Sequence, residues 1–539
     1  MANENNTSIV ASTRIPYALL NEEIDGSSRD IQDEFRQILD YYKVFNKGKD
    51  FTVEGTNGDY IPATLKYKTT ADLIRKEARF LFAEAPDIIV DSKGDAGLVT
   101  DDIKENLTNM QNIIDEVLEK NMFEDILLKA ARDCFIGKRV ACLVNFNEKS
   151  GVTISFLSSL DFVYETALDN PNKITKFVAF IIVKNRTNLK EKRIFKKKFE
   201  LVNENGKDVC YLEENLYDGA GTLIEEITPY QATKLDRIPV AVIINDGLTN
   251  DEYGESEVEW LQDHEEWYSK LCNADKDAAR KSMNPIRYTI DMEASSTQSL
   301  STAPGSYWDL VSDQNLEKSS PSVGQLTSSL EYSQALETTL KRIKDSAYDK
   351  VDMPDIEGIQ AQLASGKALK AIYWPLIVRC KEKMKTWGPK LQYIIDCIIQ
   401  GAFVYPNCFE KYTNYQIVPC DYEIHVEQNF PLPEDETEEK ANDLAEVAAQ
   451  TMSKKAYMKK WRNLTDQEAM EELEQMALER QLLEESFSGE LDNSSEETDE
   501  TGLSSDVSEV SEEMGNEYTT TVDDVGAESE EESEEITAE

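Results

Sequence analysis

VDMPDIEGIQAQLASGKALKAIYWPLIVRC, residues 351–380, is the stretch that best defines the architecture of this 539-residue chain. Its first half contains Pro354 and Gly358 together with three acidic residues, which is typical of a flexible connection. Its second half has the apolar spacing of a helix. We therefore predict a loop over residues 351–365 and a helix that begins at about Lys367.

Two long helical patterns precede this loop. They are ESEVEWLQDHEEWYSKLCNADKDAARKS (residues 255–282) and QLTSSLEYSQALETTLKRIKDSAYDK (residues 325–350). Each is about 26 residues long, hence about 40 Å, and each carries a narrow apolar stripe opposite a charged face. We expect such stripes to need neighbours, either in the same chain or in other subunits. Between the two helices, PIRYTI and SYWDLV look like strands, and residues 283–324 are predicted to form a compact α/β insert.

The helix after the loop contains residues that disfavour a regular helix. Pro375 lies inside the pattern, and Gly388 and Pro389 interrupt it further on. Proline removes the hydrogen bond to the carbonyl four residues earlier. The sequence therefore predicts either a kinked helix or two separate helices, from about Lys367 to Gly401.

The flanking regions complete an α+β fold. Helical patterns dominate before residue 138, and one of them spans residues 107–136 without a break signal. From about 138 to 230, short β-rich runs separated by turn residues predict an antiparallel sheet region, which RIPVAVIIND closes with a further strand. Residues 436–485 predict three helices. Residues 486–539 are rich in Glu, Ser and Thr and are predicted to be disordered.

The charge of the chain is strongly negative. The formal net charge is −47, and residues 484–539 hold 22 acidic residues and no Lys or Arg, which leaves −25 for the rest. The chain before residue 484 is therefore acidic as well and has no overall basic composition of the kind that binds nucleic acid. Neutralisation of DNA phosphates by basic side chains makes binding tight and salt-sensitive. An acidic protein without such tight binding can therefore still handle DNA that must slide.

No targeting segment or membrane span is predicted. The start, MANENNTSIV, lacks the basic-then-apolar order of a signal peptide, and no apolar run reaches about 18 residues. Eight cysteines are present without a C-x-x-C pair or a histidine cluster, so we expect reduced, mostly buried thiols. The expected site of action is a cytosol or a particle assembled there.

The search for catalytic chemistry finds no candidate. Only His264 and His425 are present, and neither lies in a pattern typical of a catalytic triad or a metal site. No G-x-x-x-x-G-K-[ST] loop occurs, so no nucleotide-driven motor is predicted. We therefore expect no catalytic residues, no metal, no cofactor and no enzymatic activity.

The order of helix, insert, helix, loop and kinked helix resembles the portal proteins of tailed bacteriophages, especially those of long-tailed phages of Gram-positive hosts. MPDIEG followed by LASGKALK is similar to the family's loop and helix start. VEQNFPLPEDETEEKANDL and the helical runs after it resemble the family's C-terminal strand, acidic turn and short helices. RIPVAVIIND, followed by the acidic helix start at Glu255, is a weaker match. The resemblance extends from about Asp40 to Leu483.

The resemblance implies an assignment of parts. These are a wing over residues 1–254, stem helices over 255–282 and 325–350, a clip over 283–324, a tunnel loop over 351–365, a kinked helix with a return to the wing over 366–435, a crown over 436–485, and a disordered acidic tail over 486–539.

The resemblance also implies site residues. DNA in the channel would meet the tunnel loop and the following helix start, which comprise Val351, Asp352, Met353, Pro354, Asp355, Ile356, Glu357, Gly358, Gln360, Ser365, Gly366, Lys367 and Lys370. Partners would meet the clip at Ser306, Tyr307 and Trp308. The helix kink would lie at Pro375, Gly388 and Pro389. Since the loop looks flexible, and its acidic residues together with Lys367 and Lys370 of the helix start give a mixture of charge, we expect deletion of the loop to spare ring formation and to block packaging.

The implied partners are those of a capsid vertex. They are a homo-oligomeric ring of about twelve subunits, double-stranded DNA bound without sequence specificity, the large terminase subunit that carries the ATPase, a head-completion or adaptor protein, and the major capsid and scaffold proteins. No membrane is involved. The protein would act in the virion, at the portal vertex, and in the host cytoplasm during assembly.

Two other classes remain open from the residues alone. A coiled-coil scaffold or adaptor without a DNA channel would explain the charge and the long helices, but not the β-rich region or the prolines of the third helix. A metal-dependent DNA enzyme would need a carboxylate pair, and nothing in a chain with 104 acidic residues singles one out.

Overall fold

Helical and strand patterns alternate in the structure as they do in the sequence, and the predicted α+β class is confirmed. The structure is a computed structural model. It describes residues 15, 19–20, 23, 28–52, 62–93, 100–184, 192–248, 253–283, 286–293, 310–312, 320, 322–326, 331–355, 366–412, 416–428, 430, 436–462, 469–470 and 472–478.

The chain divides into two compact units, Met1–Asp435 and Glu436–Glu539. The helices of the first are α1 Ser28–Lys47, α2 Thr69–Leu81, α3 Asp101–Lys120, α4 Phe123–Gly137, α5 Glu257–Met283, α6 Ser333–Lys350, α7 Gly366–Val404 and α8 Pro406–Phe409. Its strands are β1 Asp87–Ser92, β2 Arg139–Asn147, β3 Gly151–Ser158, β4 Phe162–Ala167, β5 Asn170–Lys184, β6 Lys192–Glu204, β7 Lys207–Asp218, β8 Leu223–Ala232, β9 Val240–Ile244, β10 Ile286–Ile290, β11 Ser322–Leu326 and β12 Tyr422–Glu427.

The second unit contains helices α9, Glu436–Ala448, and α10, Lys454–Arg462. They pack through Asp443 of α9, which accepts a hydrogen bond from Trp461 Nε1 at 2.8 Å and forms an ion pair with Lys460 at 2.9 Å. Residues 472–478 are also helical. The acidic segment 486–539 lies outside the described residues.

The β-rich region forms two sheets rather than one. A three-stranded antiparallel sheet has the order β3-β2-β9, and a five-stranded sheet has the order β4-β5-β6-β7-β8. The strand predicted from RIPVAVIIND is β9, which pairs with β2. A further pair, β1 with β12, joins residues far apart in the chain, with Ile89 opposite His425.

The helical run over residues 107–136 is broken, which corrects the prediction of one helix. α3 ends at Lys120, and α4 begins at Phe123 after Met122, whose φ is +49°. The side chain of Asn121 explains the break. Its Nδ2 donates to the Val117 and Val152 carbonyls, and its Oδ1 accepts from the Ile154 N–H at 2.9 Å. The break therefore fastens the helix end to strand β3.

Helix α7 forms the centre of the largest apolar core. It is a single helix through Pro375 and Pro389, so the alternative of two separate helices is wrong. Apolar residues of α7 pack with apolar residues of α2, α3, α4, β1 and β2; those of α7 include Leu376, Trp387, Leu391, Ile394, Ile395 and Ile398. The bend predicted at the prolines and Gly388 stays a prediction. No helix in the described part of the chain is both long and apolar enough to cross a membrane.

The insert between α5 and α6 contains a hairpin. β10 and β11 pair antiparallel, with Tyr288 opposite Gly324, as predicted for PIRYTI. The second long helix begins at Ser333 and not at Gln325, because Gln325 belongs to β11 and pairs with Arg287. Ser306, Tyr307 and Trp308 lie outside the described residues.

Helix α5 buries a polar stripe, which the sequence did not predict. Glu265, Ser269, Asn273 and Asp277 follow one another at four-residue steps and are all buried. Their side chains bind the backbone of residues 62–70. Asp277, Asn273 and Ser269 accept from the N–H groups of residues 63, 65 and 67, and Glu265 accepts from that of Thr70.

The spacing of the two partners explains this ladder. Four helical residues rise about 6 Å, and two extended residues rise about 6.6 Å. Every second backbone N–H of the segment therefore meets the next polar side chain of the stripe. The apolar residues Tyr268, Leu271, Cys272 and Ala278 of α5 are only half-buried.

We expect Asn273→Leu to loosen the segment of residues 62–68. Asn273 both accepts from the N–H of Leu65 and donates to its carbonyl, and an apolar side chain of similar size leaves both groups unpaired. Loss of roughly 1–3 kcal/mol of local stability corresponds to amide exchange of this segment about tenfold faster or more. Hydrogen-exchange mass spectrometry measures it. Ala274→Leu, at an exposed neighbouring position, is the control, and unchanged exchange in Asn273→Leu would contradict the ladder.

Candidate functional site at the base of residues 351–365

The first residues of the 351–365 segment pack into the core. Val351 is fully buried and Met353 nearly so. Their N–H groups both donate to the carbonyl of Tyr348, at 3.2 and 3.0 Å, which continues the last turn of α6. The interpretation of this whole segment as a loop without a packing role is therefore wrong for Val351 and Met353, whose side chains face the core of the chain.

The two acidic residues of the described part of the segment are paired. Asp352, at a φ of +52°, lies 3.8 Å from Arg379 of α7, and Asp355 lies 3.4 Å from Lys344 of α6. The structure thus gives each of these two acidic residues a basic partner, which offsets its charge locally.

The other predicted residues of this site are distributed differently. Gly366 and Lys367 start helix α7, and Lys370 is exposed on its second turn. Pro354 is half-buried. Ile356, Glu357, Gly358, Gln360 and Ser365 lie outside the described residues.

A buried charge cluster lies next to Asp352. It consists of Glu77 from α2, Glu257 from the first turn of α5, and Arg379 and Lys383 from α7. Both carboxylates are fully buried, and the side chains of Arg379 and Lys383 are 11% and 8% exposed. Charges buried to this extent are stable only when they are paired and hydrogen-bonded.

The pairing within the buried charge cluster is nearly complete. Arg379 Nε donates to Glu77 Oε1 at 2.7 Å, and its Nη2 donates to Glu257 Oε1 at 3.3 Å. Lys383 Nζ lies 3.2 Å from Glu77 Oε1 and also donates to Glu257 Oε1. Arg379 therefore links Asp352 at the base of the loop to helices α2, α5 and α7.

Neighbouring groups complete the surroundings of the two cations. Lys383 Nζ donates to Asn245 Oδ1 at 3.0 Å, and Asn245 directly follows strand β9. The ammonium of Lys383 lies 3.7 Å from the ring centre of Phe135, and the guanidinium of Arg379 lies 5.4 Å from that of Trp260. Such cation–π contacts add favourable electrostatics where water is excluded.

The two carboxylates have different proton affinities. Burial and the nearby Glu77 carboxylate raise the pKa of Glu257 to about 7. Burial alone would raise the pKa of Glu77 as well, but the charges of Lys383 and Arg379 outweigh it and hold that pKa below its ordinary value. For the Oε2 atoms of both residues, the described residues offer no other hydrogen-bond partner. A proton on Glu257 that bridges to Glu77 satisfies both and leaves the pair with one negative charge.

Sequence reasoning missed this cluster although a signal was present. Glu77 lies on the apolar face of its helix, between Leu73 and Leu81, and Lys383 lies in the same stripe as Leu376 and Trp387. A charged residue at a position that periodicity assigns to the core predicts a buried partner. It does not say which partner, because Glu77 and Arg379 are 302 residues apart in the sequence.

The buried charge cluster is suited to positioning. Within the described ranges, no group of His, Cys, Asp and Glu side chains could hold a metal ion. The Oε1 atoms of both carboxylates are already bound to the two cations. What the arrangement can do is hold the start of the 351–365 segment at a fixed place relative to three helices.

The family described as phage portal protein, SPP1 Gp6-like, matches residues 23–485, which include the buried charge cluster and the 351–365 segment. A search of curated proteins found no match.

We expect Glu257→Gln to remove a pH dependence of stability. Because the pKa of Glu257 is raised in the folded protein, its contribution is complete below the ordinary value of 4.5 and is lost as pH rises through about 7. The wild-type protein should thus lose roughly 1–3 kcal/mol from this residue between pH 5 and pH 8. The lowered pKa of Glu77 acts only at more acidic pH.

The measurement is thermal unfolding of the full chain between pH 5 and pH 8. The glutamine amide keeps the donor to Glu77, so the variant should show a flatter profile. Glu266→Gln removes the same charge from a partly exposed position of the same helix and serves as the control. Identical profiles for wild type and Glu257→Gln would contradict a proton on Glu257.

Proposed function

Because the chain belongs to the phage portal protein family of the SPP1 Gp6 type, we propose that it forms a homo-oligomeric ring at one capsid vertex, through which double-stranded DNA enters during packaging and later leaves. The single observation that carries this proposal is the match of the family over residues 23–485. It covers all of the described first unit from Ser28 onward.

The surfaces of the two long helices support a ring. α5 and α6 pack together, yet Ala347 is the single buried residue of α6. Leu336, Leu340 and Ile343 of α6 are half-buried, and Trp267 of α5 is 57% exposed. Apolar surface that one chain leaves open is what a heterologous interface between identical subunits can cover. These helices would form the stem of the ring.

The remaining parts take the roles that the family resemblance implies. Residues 283–324 would form the clip, which meets the terminase large subunit first and a head-completion or adaptor protein later. Residues 436–485 would form the crown, inside the capsid. Residues before 255 would form the wing, which meets capsid and scaffold proteins. The proposed protein is a conduit and not an enzyme, and ATP hydrolysis would belong to the terminase.

The charges at the base of the 351–365 segment support weak contact with DNA. Asp352 and Asp355 are offset by Arg379 and Lys344, so they do not present unpaired negative charge to a phosphate backbone. Lys370 is exposed one turn after the start of α7. Contacts of this kind neutralise few phosphates and read no base sequence, which suits DNA that must move.

Native mass spectrometry of the full-length protein, with negative-stain images of the same sample, tests the proposal. We expect closed rings of about a dozen subunits with a central hole, because heterologous interfaces close into rings when the rotation permits. An elongated dimer would contradict the proposal and favour the coiled-coil scaffold.

Deletion of residues 356–365 should spare the ring and block DNA packaging. The deletion begins after Asp355 because Val351 and Met353 are buried, and removal of the whole 351–365 segment would also remove part of the core. Packaging is measured as DNase-protected DNA in capsids, and ring formation by native mass. Val351→Asp is the contrasting variant and should reduce folded protein, since it buries an unpaired charge. Normal packaging by the deletion variant would contradict a role for this segment at the DNA.

A further inference from the structure

A basic cleft lies between α2, α5 and α6. It has a volume of about 320 Å³, and its basic wall is formed by Arg75, Lys76 and Arg79 of α2 and Lys344 of α6. Asp72 is the single acidic residue among those that line it. We call this cavity, with its four basic residues, the basic cleft. In a chain with a net charge of −47, four cations around one cavity are a marked local reversal of charge.

The cations of the basic cleft are only partly compensated. Arg75 lies 3.5 Å from Asp72, and Lys344 lies 3.4 Å from Asp355. Lys76 Nζ donates to the hydroxyl of Tyr348 at 3.1 Å. Because this hydroxyl is neutral, the contact does not offset the charge of Lys76. Arg79 is exposed and has no partner among the described residues. Among the residues that the structure describes, the four cations thus pair with two carboxylates, Asp72 and Asp355.

A fifth cation lies behind this wall. The Nε of Arg132, on α4, is buried and has no hydrogen-bond partner within the described residues. Burial and then the charges of Arg79 and Arg75 lower the pKa of Arg132, and the opposing effects of Asp125 and Asp133 do not cancel them. Arginines that repel one another across a helix pair are stabilised by an anion bound between or beside them.

The basic cleft also lies close to the 351–365 segment. Lys344 pairs with Asp355 of that segment, and the carbonyl of Tyr348 accepts from the N–H groups of Val351 and Met353. DNA that reaches this segment therefore comes within reach of the cleft. Arginine presents a planar fork of donors that matches two phosphate oxygens, and lysine adds a point charge.

We propose that the basic cleft binds phosphate groups of the DNA backbone beside the base of the 351–365 segment. The proposal rests on the proposed function, since it takes the DNA in the channel as the source of the phosphate. It gives the acidic chain one place for a sequence-independent contact. The contact is confined to a few cations, so the affinity stays low and the DNA stays mobile.

Fluorescence anisotropy with a duplex of about 30 base pairs at about 50 mM NaCl tests this site in the full-length protein. We expect Arg79→Gln to weaken binding about tenfold and to reduce the slope of log affinity against log salt by about 1. Arg79→Lys should retain part of the affinity. Inorganic phosphate should displace the duplex from the wild-type protein more than chloride does at equal ionic strength, and should lose this advantage in Arg79→Gln.

The matched control is Lys129→Gln. Lys129 is an exposed cation of α4, one turn before Arg132, and it pairs with Asp125 outside the cleft. The Lys129→Gln substitution removes the same charge and should leave the DNA affinity and the salt slope near the wild-type values. Arg79 is chosen over Arg132 because it is exposed and its substitution does not disturb packing.

Unchanged affinity and slope in Arg79→Gln would overturn the proposal. So would loss of ring mass in that variant with unchanged DNA affinity, which would assign the cleft to an acidic side chain of a neighbouring copy. The ring images of the wild-type protein decide the portal proposal separately. Rings whose DNA binding does not depend on Arg79 would contradict the proposal for the basic cleft alone. DNA binding that depends on Arg79 in a protein that forms no rings would contradict the portal proposal alone.

Discussion

Four buried ionisable groups hold together the helices on which the rest of the structure depends. Removing Lys383 or Arg379 from the interior of the chain would take away one of the two cations that bind both carboxyl groups, and breaking a buried pair in this way costs several kcal/mol. The cluster therefore specifies one arrangement of α2, α5 and α7. Through the ion pair of Arg379 with Asp352, it also specifies where the 351–365 segment begins. A loop that must act at a fixed radius of a ring benefits from a rigid base.

The polar stripe of α5 supplements this arrangement. A helix that buries Glu265 and Asp277 would ordinarily be unstable, but here the buried side chains accept hydrogen bonds from backbone N–H groups, Asp277 from that of Ala63 and Glu265 from that of Thr70 in the first turn of α2. Each of these buried polar side chains is satisfied by a backbone N–H group, which does not depend on the side chain of the residue that donates it. The apolar residues of the same helix are then left half-buried at its other faces, where subunit contacts in a ring can use them.

The electrostatics of the chain are organised at two scales. Overall it is acidic, which disfavours tight binding of DNA and suits a conduit. Locally, the acidic residues at the base of the 351–365 segment are paired with cations, and the basic cleft concentrates positive charge beside them. In the proposed function, a few local cations within a repulsive background would allow contact with DNA that is brief and independent of sequence. A contact made by so few residues would leave no sign in the overall composition.

The sequence by itself determined the α+β class, the β-rich antiparallel region from about residue 138 to 230, and the long helices α5 and α7, because these depend on local periodicity and residue type. Tertiary structure decided the rest. The break at Asn121 exists because that side chain binds strand β3, and Gln325 is a strand residue because β10 pairs with it. Val351 is buried, and Glu77 meets Arg379, because helices distant in sequence pack together. Local patterns record that a residue prefers burial or a partner, but only the packed chain selects which partner it meets.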